Sequence, residues 1–282
     1  MNKIFFYVLK KLPLKLKLRL IYRLKFNRKL NLNTPKLYTE KIQKRKLHML
    51  KIYSMLSDKY KVREFVSKNI GEQYLIELLA CENEISDLKF ETLPEQFVIK
   101  TNFGSGSEHI EIVKNKSLIN KLNIERKFNL AMKSQYKGSI LGETQYDFID
   151  KRIIVEKFID NNGKDIDDFK FHIFNSKNGF LQIDFDRFTN HKRNLYDLNF
   201  KQLDFELCHS GGKYNLPSID KLQKMKEIAL KLSQGFDYVR IDLYLVNEQI
   251  LFGEMTFTPG SGLEKFSTLK ADKLYGQMWE QK

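Results

Sequence analysis

The sequence predicts an α+β fold, in which a helical N-terminal part precedes two groups of short strands. Apolar residues recur at helical spacing over 38–56, 58–69 and 219–233. From about Leu93 the pattern changes to short apolar or alternating runs, which are typical of strands. Several of these runs are separated by only a few residues, so we expect antiparallel hairpins. A chain of 282 residues can bury the core of one large or two smaller domains.

Each predicted helix depends on this spacing of apolar residues. In 219–233, Leu222, Met225 and Ala229 fall on one face, and Gly235 provides a natural C-terminal stop. The predicted helices cover 38–56, 58–69, 117–135 and 219–233.

The predicted strands are short and are bounded by turn residues. Gln96–Lys100 is a compact apolar run, and His109–Val113 alternates between apolar and polar residues. We expect one turn to contain Asn178-Gly179 and the last hairpin to turn at Asn247-Glu248. The predicted strands cover 96–100, 109–113, 152–159, 169–175, 180–185, 238–246 and 249–257.

The positive charge of the chain is concentrated at its N-terminus. Residues 1–51 contain sixteen Lys and Arg against one acid, Glu40, and the remaining residues are close to neutral. Within Leu12–Leu20 leucine alternates with cations, a period of two that fits a strand. Leucine and lysine also favour helices, however, and Pro13 suits a first helical turn, so both structures stay open.

A segment of this kind suits contact between residues 1–30 and an anionic membrane surface. The alternatives are a solvated arm whose leucines pack on the body of the protein, and nucleic-acid binding. No zinc-finger spacing or RRM-like aromatic motif supports nucleic acid. The sequence contains no run of eighteen uncharged apolar residues and no secretory signal, and Cys81 and Cys208 form no CxxC motif. We therefore expect a cytoplasmic protein that can lie at the inner face of the cytoplasmic membrane.

The order of elements predicts four parts of the chain. They are a basic arm over 1–34, a helical region over 35–81, a small α+β subdomain over 82–155 and a C-terminal subdomain over 156–282. The last of these is expected to be a mainly antiparallel sheet with helices behind it.

The last predicted hairpin places two carboxylates opposite each other. Alternation along 238–246 puts Asp242 on one face, and a turn centred on Glu248 pairs it with Glu254. Thr256 falls on the same face. Two carboxylates this close repel each other unless a cation lies between them, and such hard oxygen ligands suit Mg²⁺. The alternative is two acids on a solvated face.

A glycine-rich segment follows one of the predicted buried strands. Lys100 ends the strand, and Asn102-Phe-Gly-Ser-Gly-Ser107 comes next. Backbone N–H groups beside glycines can approach an anion closely, and the lysine adds a positive charge. The segment is neither a Walker A loop nor a GxGxxG helix opening, and a simple hairpin turn is the alternative.

Charged residues and a histidine crowd two adjacent predicted strands. They lie in Asp167–Lys170 and in Asp186–Arg193. Arginine side chains in these segments match the geometry of carboxylates or phosphates, and His191 could act as a base. The alternative for His191 is a solvated loop residue.

The order of these features resembles the ATP-grasp superfamily. The features are Lys100 with its glycine-rich loop, Val155–Ile159, Arg240-x-Asp242, and Glu254-x-Thr256 followed by Pro-Gly. A more specific resemblance, over roughly residues 30–280, is to the TupA-like ATP-grasp proteins. It depends on Thr39–Gln43, Asp58–Phe65, Phe97–Lys100, Asp168–Lys170, Asp186–His191 and Gly253–Phe257.

The resemblance implies two α+β subdomains that clamp ATP, with 82–155 as the lid and 156–282 as the catalytic part. It implies phosphate contacts from Lys100, a lid loop at Gly104, Ser105, Gly106 and Ser107, and an adenine-binding hinge at Glu156, Lys157, Phe158 and Ile159. Asp242 and Glu254 resemble the Mg²⁺ ligands, Arg240 the arginine that steadies an acyl-phosphate, and Lys170 a further phosphate lysine. Thr256 replaces the usual third ligand, asparagine, and Asp165 and Asp167 are candidates for the ribose-binding acid.

The resemblance also implies an activity, ATP-dependent ligation of a carboxylate to an amine through an acyl-phosphate. TupA-like proteins occur in gene sets for bacterial surface polysaccharides, so we expect a uronic acid of a glycan and an amino acid or amino alcohol as substrates. Arg187, His191 and Arg193 are our candidates for the acceptor site. The alternatives are a metal-dependent glycosyltransferase that uses Asp184-Phe-Asp186, and a non-catalytic scaffold that binds a membrane surface or polymer.

Overall fold

Two antiparallel sheets, each covered by helices, form the structure, a computed structural model that describes residues 9–281. The predicted α+β class is therefore confirmed. The first sheet has four strands and the second has five. Within residues 9–281, no helix combines the length and apolar character needed to cross a membrane.

Four helices with defined bounds lie in the described residues of the N-terminal part. They are α1 (Leu14–Phe26), α2 (Tyr38–Arg45), α3 (Lys51–Ser57) and α4 (Val62–Ile70). The alternating leucines and cations of Leu12–Leu20 thus belong mainly to a helix, whose buried side includes Leu18, Ile21 and Tyr22. Residues 1–8 of the predicted basic arm lie outside the described residues.

The single helix predicted over 38–56 is wrong, because the chain leaves the helix after Arg45 and re-enters it at Lys51. The break buries Lys46, whose Nζ donates to the carbonyl oxygens of Leu141 and Ser261. Burial lowers the pKa of Lys46 to about 8, although the charge of nearby Glu143 partly opposes this effect. These long-range bonds override the local helical pattern.

The first sheet comprises β1 (Leu78–Glu82), β2 (Phe97–Thr101), β3 (Ile110–Val113) and β4 (Ile153–Lys157), in the order β1-β4-β2-β3. Phe97 and Ile99 face the core together with Phe128 of helix α5 (Lys121–Lys133). Lys100 falls on the opposite face of β2. The strand β1 was not predicted from the sequence, and all its residues are only partly buried.

The second sheet comprises β5 (Asp168–Phe174), β6 (Asn178–Phe185), β7 (Lys192–Asp197), β8 (Tyr238–Val246) and β9 (Gln249–Thr256), in the order β7-β6-β5-β8-β9. Its apolar face packs against helix α7 (Ile219–Leu232), which follows the short helix α6 (Lys137–Ile140) in the chain. Phe171, Ile241 and Met225 lie in this core. The opposite face of the same strands carries charged side chains. Neither β7 nor the last helix, α8 (Leu269–Met278), was predicted from the sequence.

One predicted turn is displaced and another is confirmed. The turn between β5 and β6 lies at Asn175-Ser176, both with positive φ, whereas Asn178-Gly179 already belongs to the ladder. Gly179 has no Cβ, which allows the carbonyl oxygen of His172 to approach its backbone closely. The last hairpin turns at Asn247-Glu248, as predicted, with φ of 49° and 67°.

We propose a division of the chain that differs slightly from the predicted boundaries. The boundaries at 81/82 and 155/156 fall inside β1 and β4. If the boundaries are placed before Leu78 and after Lys157, all four strands of the first sheet fall within one part of the chain.

Candidate functional site

A row of alternating charges crosses the polar face of the second sheet. Asp242 of β8 lies beside Lys170 of β5 and directly across from Glu254 of β9, so the predicted pairing is confirmed, although a bulge after Asp242 shifts the register over the rest of the hairpin. Arg240 lies between the two acids. Its Nε and Nη2 atoms donate to Asp242 at 2.7 Å each, and Nη2 also donates to Glu254 at 2.8 Å. The guanidinium therefore supplies the cation that holds these carboxylates together.

Thr256 completes this cluster. Its hydroxyl donates to Glu254 Oε1 at 3.0 Å and accepts from Arg240 at 3.2 Å. Within residues 9–281, no three Asp, Glu, His or Cys side chains form a metal-binding group. Two carboxylates and a hydroxyl nevertheless fit Mg²⁺, which proteins commonly hold with one or two carboxylates plus substrate phosphates.

The two acids differ in their protonation behaviour. Burial raises the pKa of Asp242 to about 7, opposed by Arg240 and reinforced by Glu254. Burial alone would also raise the pKa of Glu254, but Lys59, Arg240 and Lys170 outweigh it and lower the pKa to about 2. Glu254 is thus the more acidic partner, because it faces more cations.

Asp184 anchors the other end of the charge row. Its carboxylate is fully buried and accepts from Lys170 Nζ at 2.6 Å and from Arg193 Nε at 2.6 Å. His191 Nε2 lies 3.2 Å from the same carboxylate. Arg193 continues the row to Glu264, at 2.7 Å. The position of Lys170 beside Asp242 therefore depends on a buried ion network.

Lys59 connects the charge row to the glycine-rich loop. Its Nζ donates to the carbonyl oxygen of Gly104 at 2.7 Å and lies 4.0 Å from Glu254 Oε2. Asp58 positions this segment, since its Oδ1 accepts from Asn102 Nδ2 at 2.9 Å and from the backbone N–H of Tyr60 at 2.8 Å. Lys59 lies inside the motif Asp58–Phe65, but no sequence pattern predicted a role for it.

A cavity of about 630 Å³ lies between the two sheets. Lys100, hinge residues 156–159 and Tyr244 all contribute to its wall, and Val98 and Ile112 give it an apolar side. Its size is in the range of small-molecule sites. Lys100 Nζ donates to Glu156 Oε2 inside it at 2.6 Å. The cavity therefore combines an apolar surface with a few charged groups.

The two candidates for the ribose-binding acid lie in different surroundings. Asp165 lines the cavity and accepts from the backbone N–H of Phe188 at 3.4 Å. Asp167 accepts from the hydroxyl of Tyr214 at 2.7 Å. Only Asp165 is therefore placed to reach a ligand in this cavity.

The three candidates for the acceptor site bind different carboxylates of one ion network, in which Lys170 lies 3.6 Å from Asp168 and 2.6 Å from Asp184. Arg187 pairs with Asp168 and lines the cavity, while His191 and Arg193 both contact Asp184. The Arg193 side chain is only 5% exposed, so its charge serves the buried network. The sequence could not separate them, because all three are close in the chain and strand β7 was not recognised.

The predicted lid loop has little room for larger side chains at one position. A Cβ on Gly104 would lie 2.1 Å from His109 Nδ1, and that imidazole is buried against Phe103 and Tyr136. The Ser105 hydroxyl lies 2.6 Å from the Tyr136 hydroxyl. Gly104 is thus buried and held by close contacts, whereas Ser105, Gly106 and Ser107 are exposed to solvent.

We expect Gly104→Ala to destabilise the protein by about 1–3 kcal/mol, because the added methyl group overpacks the His109 ring. Chemical denaturation checks the change in the free energy of unfolding. The double variant Gly104→Ala/His109→Ala serves as control, because it removes the overlapping ring. The explanation is wrong if the destabilisation of the double variant equals the sum of those of Gly104→Ala and His109→Ala measured separately.

One comparison with known proteins shows the family of the chain. A family profile described as TupA-like ATPgrasp matches residues 40–280. Similar solved structures include D-alanine–D-alanine ligase from Bacillus anthracis complexed with ATP, at 15% identity, 74% of this chain, 56% of that chain and a TM-score of 0.41. D-alanine–D-alanine ligase from Helicobacter pylori is 16% identical to this chain, with 80% of this chain and 61% of that chain covered and a TM-score of 0.42.

A third similar structure is macrocyclase MdnC bound with precursor peptide MdnA, from Microcystis aeruginosa. The identity is 10%, with 99% of this chain and 72% of that chain covered and a TM-score of 0.41. The chain spans less than two thirds of the length of the two D-alanine–D-alanine ligases. No curated protein matches the chain.

Proposed function

Because the chain belongs to the TupA-like ATP-grasp family, we propose that it is an ATP-dependent carboxylate–amine ligase. One observation carries this proposal. Two carboxylates on adjacent strands, Asp242 and Glu254, share Arg240, and Glu254 lies near the lysine that binds the glycine-rich loop. Phosphoryl transfer depends mainly on positioning and neutralising charge, and this arrangement can do both.

Each part of the site then has a role toward ATP. Lys100 and Lys170 neutralise phosphate oxygens, and residues 156–159 receive the adenine through backbone groups and the apolar wall of the cavity. Asp165 accepts from a ribose hydroxyl. Asp242 and Glu254, assisted by the Thr256 hydroxyl, would hold Mg²⁺, which supplies further charge neutralisation at the phosphates.

The reaction proceeds in two steps. A carboxylate oxygen of the first substrate attacks the γ-phosphorus of ATP, the bond to the β,γ-bridging oxygen breaks, and ADP leaves. The amine nitrogen then attacks the acyl carbon, phosphate leaves, and a proton is released as the amide forms. Arg240 stabilises negative charge that develops during phosphoryl transfer. Closure of loop 104–107 would exclude water from the acyl-phosphate.

We propose a uronic acid of a bacterial surface glycan as the carboxylate substrate and an amino acid or amino alcohol as the amine. The partly exposed Arg187 lines the cavity and supports an acidic acceptor, since its guanidinium can pair with a carboxylate there, and His191 is also partly exposed. The family resemblance supports the glycan. Glycosyl transfer through Asp184-Phe-Asp186 is disfavoured, because Asp184 is fully buried and already bound by Lys170 and Arg193.

Trapping with hydroxylamine tests the proposal. Hydroxylamine replaces the natural amine and converts an acyl-phosphate to a hydroxamate, which can be measured together with released phosphate. We expect both products with ATP, Mg²⁺ and at least one member of a panel of uronic acids and uronate oligosaccharides. Phosphate without hydroxamate would indicate hydrolysis rather than ligation. The absence of both products, with UDP-sugar rather than ATP stabilising the protein, would favour the glycosyltransferase.

A further inference from the structure

The outer face of helix α1 carries a row of exposed leucines. Leu16, Leu20 and Leu24 are 52%, 38% and 63% exposed, and they follow one another at intervals of four residues. At 1.5 Å per residue the row is about 12 Å long. We call these three residues the leucine row. Exposed single leucines are ordinary on protein surfaces, but an aligned row on one helix face is an apolar strip.

A row of cations runs beside the leucine row. Lys15, Arg19 and Arg23 have the same spacing and are exposed, and we call them the cation row. Helix α1 contains no Asp or Glu. Within residues 9–281, no ion pair involves a member of the cation row. These charges are therefore open to a partner outside the chain.

The inner face of α1 fixes the helix to the body of the protein. Leu18 and Tyr22 are fully buried, and the hydroxyl of Tyr22 lies 3.0 Å from Thr39 Oγ1. Leu18 also packs near Gly142. The helix is thus held in place, with the leucine row and the cation row presented together on its outer face. This arrangement differs from a solvated arm, because its leucines divide between a buried face and an exposed one.

We propose that α1 docks on an anionic phospholipid surface, with the leucine row at the boundary between headgroups and acyl chains and the cation row on the phosphates. Adjacent apolar and cationic strips are the pattern of helices that lie in a membrane interface. Nucleic acid would engage the cations but leave the leucines exposed to water. A second copy of the chain would cover the leucines but bring six like charges together. The proposal is independent of the ligase activity.

Vesicle co-sedimentation of the full chain tests this surface. We expect binding to vesicles containing phosphatidylglycerol, and little binding to pure phosphatidylcholine. The cation-row variant Lys15→Gln/Arg19→Gln/Arg23→Gln should bind anionic vesicles about a hundredfold more weakly at low salt. The leucine-row variant Leu16→Gln/Leu20→Gln/Leu24→Gln should bind anionic vesicles on the order of tenfold more weakly, although its charge is the same as that of the wild type.

Two matched control variants separate this surface from general effects. One replaces three exposed lysines elsewhere with glutamine, at Lys231, Lys270 and Lys273. The other replaces three leucines that are 80%, 64% and 70% exposed, at Leu118, Leu122 and Leu130. Both controls should bind vesicles within about threefold of wild type.

Three results would overturn the proposal. The first is failure of the wild-type chain to bind anionic vesicles at low salt. The second is equal loss of binding in the row variants and the controls. The third is a concentration-dependent dimer, measured by light scattering, that the leucine-row variant abolishes while its vesicle binding stays at the wild-type level. The melting temperature of every variant should remain near that of wild type, because all replaced side chains are exposed.

Discussion

Replacing Asp184 with asparagine should lower the free energy of unfolding by about 3–5 kcal/mol, because it leaves two buried cations without their shared counter-charge. Lys170 and Arg193 both donate to this fully buried carboxylate. An asparagine side chain has the right size but no charge, and its amide would face the same cations. Urea or guanidinium denaturation, monitored by fluorescence of Trp279, would measure the difference.

Asp186→Asn is the matched control, since the same substitution two residues away removes an exposed carboxylate. We expect a change within about 0.5 kcal/mol there. If Asp186→Asn and Asp184→Asn have equal effects, the ion network does not stabilise the fold as we describe.

The effect of Asp184→Asn should also depend on pH. Burial alone would raise the pKa of Asp184, but Lys170 and Arg193 outweigh it and hold the pKa far below its usual value. A carboxylate with a lowered folded pKa stabilises the protein fully above its unfolded pKa, near 4, and loses this contribution as the pH falls further. The difference between wild type and variant should therefore be constant from pH 5 to 7 and shrink below about pH 4.

Replacing Lys100 with methionine should reduce kcat/KM for ATP by about 10²–10³-fold, because one preorganised cation at the phosphates is lost. The side chain is 21% exposed and lines the cavity, and it donates to Glu156 at 2.6 Å. Methionine retains most of its length without the charge. The kcat/KM for ATP would be measured from phosphate release at varied ATP concentration, with the uronic acid that gives a hydroxamate as the second substrate.

Lys127→Met provides a closely matched control. Lys127 pairs with Glu111 at 2.6 Å and is 28% exposed, but neither Lys127 nor Glu111 lines the cavity. Partly exposed ion pairs contribute little to stability, so both variants should fold normally. A loss of activity below about threefold in Lys100→Met, or an equal loss in both variants, would remove Lys100 from the proposed site.

The sequence was most informative where local geometry determines the structure. The pairing of Asp242 with Glu254 was predicted from alternation and from a turn centred on Glu248. In the structure the turn at Asn247-Glu248 pairs Val246 with Gln249, and a bulge after Asp242 shifts the register by one residue to the predicted partner, which no local pattern predicted. Family membership was likewise predicted from short motifs, and the profile match over residues 40–280 confirms it.

Long-range contacts explain what the sequence did not reveal. The helix break after Arg45 depends on bonds from Lys46 to residues about 95 and 215 positions away. The bridging position of Lys59 depends on how the first sheet sits against the second, which no local pattern encodes. Arg187 and Arg193 are only six residues apart, yet the bend before β7 sends them to different carboxylates. Charge and residue type showed which side chains were candidates, but only the packing of the sheets determines their partners.

Calorimetric titration with a non-hydrolysable ATP analogue, in the presence and absence of Mg²⁺, tests the central claim most directly. The claim is that Asp242 and Glu254 hold a metal ion beside the triphosphate. We expect the wild-type chain to bind the analogue at least about tenfold more tightly with Mg²⁺ than with EDTA, and Glu254→Gln to lose this dependence while retaining its melting temperature. Equal affinity with Mg²⁺ and EDTA in the wild-type chain, or an undiminished metal dependence in Glu254→Gln, would contradict the account.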